Sequence, residues 1–567
     1  MATTTVTGYQ PDRYYLYDEM THLLKKWAEQ FPGLCRLESI GKTFEGRDLW
    51  LMCVTDMQTG SPEDKPALYI DGNHHAGEVT GSAVCLWTID YLITQHEQGN
   101  HEIVDLLRRR TFYILPRVSA DGAELFLTTP HLLRSSTRPY PWKEEPKGLV
   151  REDIDGDGRI LQMRVPDPDG EWKVSSRDPR LMIPREPDEE GGQYYRLLPE
   201  GMLHDWDGGE IRLARSPWGL DINRNYPAHW DVESRQPGAG PYPLSEPETR
   251  SIAEFLSTHR NVAGAMSYHT TAGAILRPYC TKGDAEMPPG DLAIYQALGR
   301  RGEKLVGYPC ISVYERFLVD KRKPLLGVFM DWLYEHLGII TFSTELWDAA
   351  QRAGIPPDFT RRRQWSEEEQ LKLLAWNDRE LAGRGFVPWR PFKHPQLGEV
   401  EIGGWDSKFF LINPPTSYLE AECRKNAMFT LAHCRALPEL VLVNPRWERL
   451  GEDVYKLSIT LRNRGYLPTS GSEQAKTTGF LRPLRVELEL PEGAQLVYGR
   501  QSEDLEHLDG RYKATRGPYG GGLPAREKRL QWAIKGTAGA PVRVTARGDR
   551  AGVARWEGRL GQCDSQP

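Results

Sequence analysis

The chain contains no stretch of eighteen apolar residues, so nothing in it is long enough to cross a membrane as a helix. Its opening, MATTTVTGYQPDRYYLYDEM, lacks both a basic start and an apolar run, and so does not read as a secretory signal. The eight cysteines, at 35, 53, 85, 280, 310, 423, 434 and 563, include no C-x-x-C pair. Scattered cysteines without a signal read as reduced thiols, and a cytoplasmic location is the expectation. Positive charge is not in excess either. The net charge is -7, which implies no basic face for nucleic acid. The short basic runs Lys321-Arg322-Lys323 and Arg361-Arg362-Arg363 read as solvated surface. No internal repeat or low-complexity tract is evident.

What is present is a soluble globular composition, 39% hydrophobic and 27% charged with seventeen Trp, over 567 residues. That length calls for two or more domains. In DEMTHLLKKWAEQF, residues 18–31, Met20, Leu23, Leu24, Trp27 and Phe31 share one helical face. DLWLMCVTD, PALYIDG, TFYILPRV and VAGAMSYH read as buried strands, and GSAVCLWTIDYLI as a buried helix. Strands alternating with helices predict an α/β domain with a mixed, mostly parallel sheet flanked by helices. Residues 130–215, rich in Pro, Gly, Asp and Arg, break this pattern and read as a long insertion of loops. Ser366 with Glu369 makes a capping box, and another helix is predicted to start near Thr416. From about residue 440 the texture changes to period-two alternation, as in YKLSITLRNRGYLPT and RPLRVELELP. The expected organisation is a catalytic domain over 1–440 and an all-β, sandwich-like module over 441–567.

The chemistry begins in YIDGNHHAGEVTG, residues 69–81. A His and a Glu three apart, at a strand–helix junction, can converge on one ion, and a zinc hydrolase commonly uses two His and one carboxylate. An H-x-x-E alone is equally a loop histidine before a helix that starts with Glu. Further parts follow in GLDINRNYP (Asn223, Arg224), SYHTTAGAILRPY (His269) and GVFMDWLYEHLGIITFSTELWD (Glu345).

In that order the motifs resemble the zinc carboxypeptidases of the A and B type, over roughly residues 14–440. His269 stands before Pro278-Tyr279, and Asp331, Trp332 and Tyr334 precede Glu345, at the family's intervals. The resemblance implies a carboxypeptidase-like fold and one zinc ion held by His75, Glu78 and His269, with His74 a neighbour only. It implies Glu345 as general base toward a zinc-activated water. It implies Asn223 and Arg224 as the site for the free C-terminal carboxylate of a peptide. An arginine for the developing oxyanion is expected at Arg215, with Arg212 next and Arg134, Arg138 and Arg164 also open. Met330, just before the D-W pair, would line the side-chain pocket; not being acidic, it disfavours C-terminal Lys or Arg. Where the family usually has a closing tyrosine stands Lys323, with Tyr314 nearby. The chain starts at the catalytic domain, so activity without removal of a prosegment is expected.

DIDGDGRI places Asp153, Asp155 and Asp157 at positions 1, 3 and 5 of an EF-hand-like loop, a calcium site in outline. Position 12 is Arg164 instead of Glu, and a series of Asp-Gly turns is the plainer reading. Other functions remain open from sequence: a zinc amidase on acylated amino acids, or a silent binding protein on the same fold.

Overall fold

The computed structural model describes residues 6–141, 146–359, 365–515 and 525–562. The basic run at 361–363 and Cys563 lie outside them. No helix among the described residues is long and apolar enough to cross a membrane.

An eight-stranded sheet forms the centre. In chain order its strands are β1 (Cys35–Lys42), β2 (Asp48–Val54), β3 (Ala67–Gly72), β4 (Thr111–Leu115), β5 (Val262–Thr270), β6 (Ala274–Arg277), β7 (Cys310–Ser312) and β8 (Ile340–Leu346). They lie in the order β1-β2-β4-β3-β5-β8-β6-β7. The middle, from β4 through β3 and β5 to β8, is parallel, and antiparallel β1, β2 and β6 flank it. β3 and β5 are buried along their whole length. Helices cover both faces, so these strands read as continuous apolar runs rather than alternations. Alternate side chains still divide between the faces. Leu68, Ile70, Met266 and Phe342 pack under the helices Thr80–Glu97, Pro289–Val306 and Thr416–Ala436. Tyr69 and Ala265 pack under the helices Pro247–Thr258 and Phe329–Leu337.

The predicted helices are present. Tyr17–Gln30 buries Met20, Leu23, Leu24 and Trp27. Glu367–Leu381 starts from a complete Ser366–Glu369 capping box.

The inserted segment differs from the loops expected of it. Strands Gly148–Arg151 and Gly201–His204 pair with each other. Gln162–Pro166, Trp172–Val174, Met182–Pro184 and Tyr195–Pro199 join the hairpin Phe386–His394 and Gly398–Trp405 in a six-stranded sheet. The insertion is a small β layer completed by residues two hundred positions away. Strands of three to five residues show too few alternations to register as a pattern.

The last helix of the α/β unit ends at Ala436, and the first strand of the C-terminal module starts at Leu440. That module holds two four-stranded antiparallel sheets. Leu457, Ile459, Val486, Leu488, Trp532 and Val544 fill the space between them.

Candidate active site and metal centre

Three parallel strands deliver the site at their carboxyl ends, where ligands bind in open α/β sheets. β3 ends in Gly72 and runs directly into Asn73-His74-His75. β5 carries His269, which pairs in register with Glu345 on β8. The helix Thr80–Glu97 starts so close to β3 that a Cβ on Gly72 would lie 2.4 Å from the Gly81 carbonyl carbon. A Cβ on Gly81 would lie 2.8 Å from the Tyr268 carbonyl oxygen. Both glycines of the motif are therefore needed to bring Glu78 beside β5. Asn73 holds the turn between, at φ 68, a conformation Asn tolerates. Its Nδ2 donates to the His75 carbonyl at 2.6 Å.

His75, Glu78 and His269 converge. His75 Nδ1 lies 2.8 Å from Glu78 Oε1, and His269 Nδ1 lies 3.0 Å from Glu78 Oε2 and 3.1 Å from His75 Nδ1. Atoms bound about 2.0–2.1 Å from one tetrahedral zinc stand about 3.3 Å apart. Protons on both Nδ1 atoms would crowd each other, whereas one cation takes a lone pair from every group. The donor set therefore fits zinc.

Asp221 supports this arrangement. Its Oδ1 takes the far side of the His75 ring, at 3.1 Å from Nε2, so that Nδ1, on the side of Glu78 and His269, is the atom that would hold an ion. Its Oδ2 accepts Arg134 Nε at 2.9 Å, and Arg134 Nη1 stands 3.5 Å from Glu78 Oε1. Burial alone would raise the Asp221 carboxyl, but Arg134, Arg224 and His75 hold it well below the usual carboxylate range. Burial pushes His269 down to about 4, against the pull of Glu78. The ring is thus neutral, as metal ligation requires. His74 turns away: its Nε2 lies 3.0 Å from Tyr226 Oη, and its Nδ1 3.4 Å from Asp71.

A cavity of about 220 Å³ opens from this centre, and Glu345 and Arg134 line it beside the three converging residues. Asn223 and Arg224 also line it. Asp221 caps their short turn, accepting the Asn223 N–H at 3.0 Å. Asn223 Oδ1 in turn accepts the Phe329 N–H at 2.9 Å. Leu276, Val313, Phe317, Leu325, Val328 and Met330 make an apolar wall.

The arginines sort differently from the expectation. Arg215 is exposed on the strap leading to Asp221 and does not line the cavity. Arg212 pairs with Glu210, Arg138 with Glu246 and Arg164 with Glu401. Of the five, Arg134 lines the cavity. The inserted β layer separates it from the Asn-Arg pair, so counting a few residues back from Asn223 lands on the strap instead. Its mark in the sequence is position: it lies just before the insertion. Asp221 was visible only as a letter of the G-L-D-I-N-R motif. Neither Lys323 nor Tyr314 lines the cavity; Lys323 is exposed, and Tyr314 lies under Lys321.

The Asp-rich loop is built otherwise. Asp153 Oδ1 and Oδ2 accept the N–H groups of Gly156 and Gly158, and Asp155 Oδ1 that of Asp157. Arg390 reaches Asp155 at 2.9 Å and Asp157 at 2.7 Å. Buried Glu200, absent from the sequence reading, completes an acidic group with Asp153 and Asp155. Its carboxylate accepts the N–H groups of Ile154 and Leu161.

A two-histidine, one-glutamate centre at the ends of a parallel sheet, with a further glutamate lining the same cavity, defines a zinc-hydrolase type of site. The chain belongs to the zinc carboxypeptidase family, whose model matches residues 20–370. Residues 439–559 match a domain of unknown function. The chain is 25% identical to mouse (Mus musculus) carboxypeptidase A6 over 285 residues, covering 49% of this chain and 48% of that protein. It is 25% identical to rat (Rattus norvegicus) carboxypeptidase A2 over 357 residues, covering 60% of this chain and 64% of the relative. The chain thus spans about half to two thirds of the length of these relatives. Among solved structures it is similar to thrombin-activatable fibrinolysis inhibitor, at 18% identity and a TM-score of 0.45 over 76% of each chain.

Proposed function

We propose that this chain is a zinc-dependent carboxypeptidase that removes the C-terminal residue of peptides. One observation carries the reading. His75, Glu78 and His269 meet within 3.1 Å at one part of a cavity that Glu345, Arg134, Asn223 and Arg224 also line. Zinc bound by the three residues would polarise the scissile carbonyl and lower the pKa of a water. Glu345 accepts the proton of the attacking water and delivers it to the leaving amine. Arg134, held by Asp221, aims its guanidinium at the oxyanion that develops on the carbonyl. Arg224, steadied by Asn223, takes the terminal carboxylate, whose two oxygens suit a guanidinium fork. That pairing restricts cleavage to the last peptide bond.

The apolar wall from Leu276 to Met330 favours a substrate ending in an apolar side chain. An acidic group at position 330 would be needed to compensate a terminal Lys or Arg buried there.

Digestion of a peptide library varied at its last residue tests this reading. Trimming of apolar C-terminal residues is expected, lost with a zinc chelator and in Glu345→Gln. Activity confined to N-acyl amino acids would replace the reading with an amidase, and zinc binding without turnover would replace it with a binding protein.

A further inference from the structure

We propose that the C-terminal β module braces the substrate pocket, with Arg550 as the positioning residue. It acts through the helix Phe329–Leu337, which spans the distance between module and pocket. At its N-terminus the helix is tied to the pocket: the Phe329 N–H donates to Asn223, and Met330 forms part of the wall. At its C-terminus it is tied to the module.

Arg550 is fully buried. Its guanidinium donates to the carbonyls of Leu337 and Gly338, the last of the helix, and to Ser470 within the module. Those two helix carbonyls lack intrahelical partners, and a cation there also opposes the helix dipole. Burial pushes the Arg550 guanidinium down to about 9, and a buried charge is tolerated where hydrogen bonds compensate it. The module supplies more around the same end. Ser472 Oγ donates to the Gly338 carbonyl at 2.6 Å, and Gln474 Nε2 to that of Glu335 at 3.0 Å. Buried Asp291 accepts the N–H groups of Glu473 and Gln474 at 2.7 and 2.9 Å and the Tyr334 hydroxyl at 2.8 Å. Gly338 sits at φ 65, and a Cβ there would lie 2.3 Å from the Ala475 Cα. The module loop therefore closes on the helix end with no gap for the helix to slide into.

The consequence for the site follows from the chain path. A helix of nine residues is about 13 Å long and moves as a unit. A shift along its axis displaces Met330 and pulls on Asn223. Only Gly338 and Ile339 separate the helix from β8, the strand that carries Glu345. The module needs no chemistry of its own to act on the pocket.

Arg550→Met, Arg550→Lys and Leu457→Ala in the full-length chain test the proposal. Leu457 lies in the core of the module, away from the helix, so its truncation destabilises the module without touching the brace. Arg550→Met is expected to speed amide exchange over residues 329–346 and to raise KM for an apolar-ended peptide about ten-fold, with kcat within about three-fold. Arg550→Lys is expected to recover most of the KM, and Leu457→Ala to lower Tm with both readouts unchanged. The KM arm rests on the exopeptidase reading; the exchange arm does not, so it still reports if no peptide is cleaved. Should Arg550→Met not fold, Ser472→Ala carries the same two readouts. Equal exchange at 329–346 in the Arg550→Met and Leu457→Ala variants would overturn the proposal, as would an unchanged KM in an active Arg550→Met enzyme.

Discussion

Two places in this chain have the spacing of metal ligands, and folding treats them differently. At His75, Glu78 and His269, side chains from the turn after β3 and from strand β5 meet with their ligand atoms facing one another. At Asp153, Asp155 and Asp157, the carboxylates face the amides of their own loop and the guanidinium of Arg390. The first arrangement brings ligand atoms of three side chains within 3.1 Å of one another, including two ring nitrogens that cannot both carry a proton toward the other. The second engages its carboxylates with loop amides and a guanidinium, although Asp153, Asp155 and Glu200 keep ligand atoms within 4.8 Å of one another. In this chain the close pair His75 and Glu78 becomes a centre because His269 arrives from a distant strand and the three are buried together.

The sharpest way to break this contrast is at its arginines. Arg134 is tied to Asp221 at the cavity wall, whereas Arg215 stands on a strap outside the cavity, although both side chains reach solvent. Arg134→Ala is expected to lower kcat about 100- to 1000-fold, the usual cost of losing one oxyanion donor. Arg215→Ala is expected to leave kcat and KM within about two-fold. Steady-state kinetics on one peptide decides, and the reverse ranking would return the oxyanion role to the strap.

Burial also separates the acids beneath the pocket from those on the loop. Asp331 is almost fully buried and accepts the Cys280 N–H at 2.9 Å. Burial, with Glu335 adding to it, pushes its carboxyl up to about 7, although the Cys280 amide pulls the other way. The folded chain then binds a proton that the unfolded chain, with a carboxyl near 3.9, has released. This group's stabilisation is complete below about pH 4 and is lost as pH rises through about 7. Between pH 4.5 and 6 the stability of the wild type relative to Asp331→Asn is expected to fall by about 2 kcal/mol. Denaturant unfolding at the two pH values measures this, and a pH-independent difference would mean the acid is ionised throughout.

The smallest effect belongs to the loop. With Arg390 across Asp155 and Asp157, millimolar calcium is expected to move Tm by less than about 1 °C, because a ligand stabilises only when it binds the native state well above its Kd. A shift of several degrees would show that the ion displaces Arg390 and that the two places are alike after all.

Much of the site was legible because its parts are short motifs in a fixed order at strand ends. YIDGNHHAGEVTG even encodes its own geometry, since Gly72 and Gly81 are where the helix closes on the strand. The buried parallel strands were legible as unbroken apolar runs. The inserted β layer was not, because its strands are three to five residues long and pair with Phe386–Trp405, far away in sequence. Arg134 was obscured by the same insertion. The partner of the Asp-rich loop, Glu200, arrives from the bend after the strand Tyr195–Pro199 and occupies no place in the loop's spacing. The role of the C-terminal module was hidden for the same kind of reason: Arg550 is one arginine in a turn, and nothing local distinguishes it from its exposed neighbours.

The most direct test is the zinc content of the purified chain, measured by atomic emission for wild type, His269→Ala and Glu345→Gln. One zinc per chain is expected in wild type and in Glu345→Gln, which keeps the ligands, with none retained by His269→Ala. Full zinc occupancy in His269→Ala would contradict a centre built from residues 75, 78 and 269.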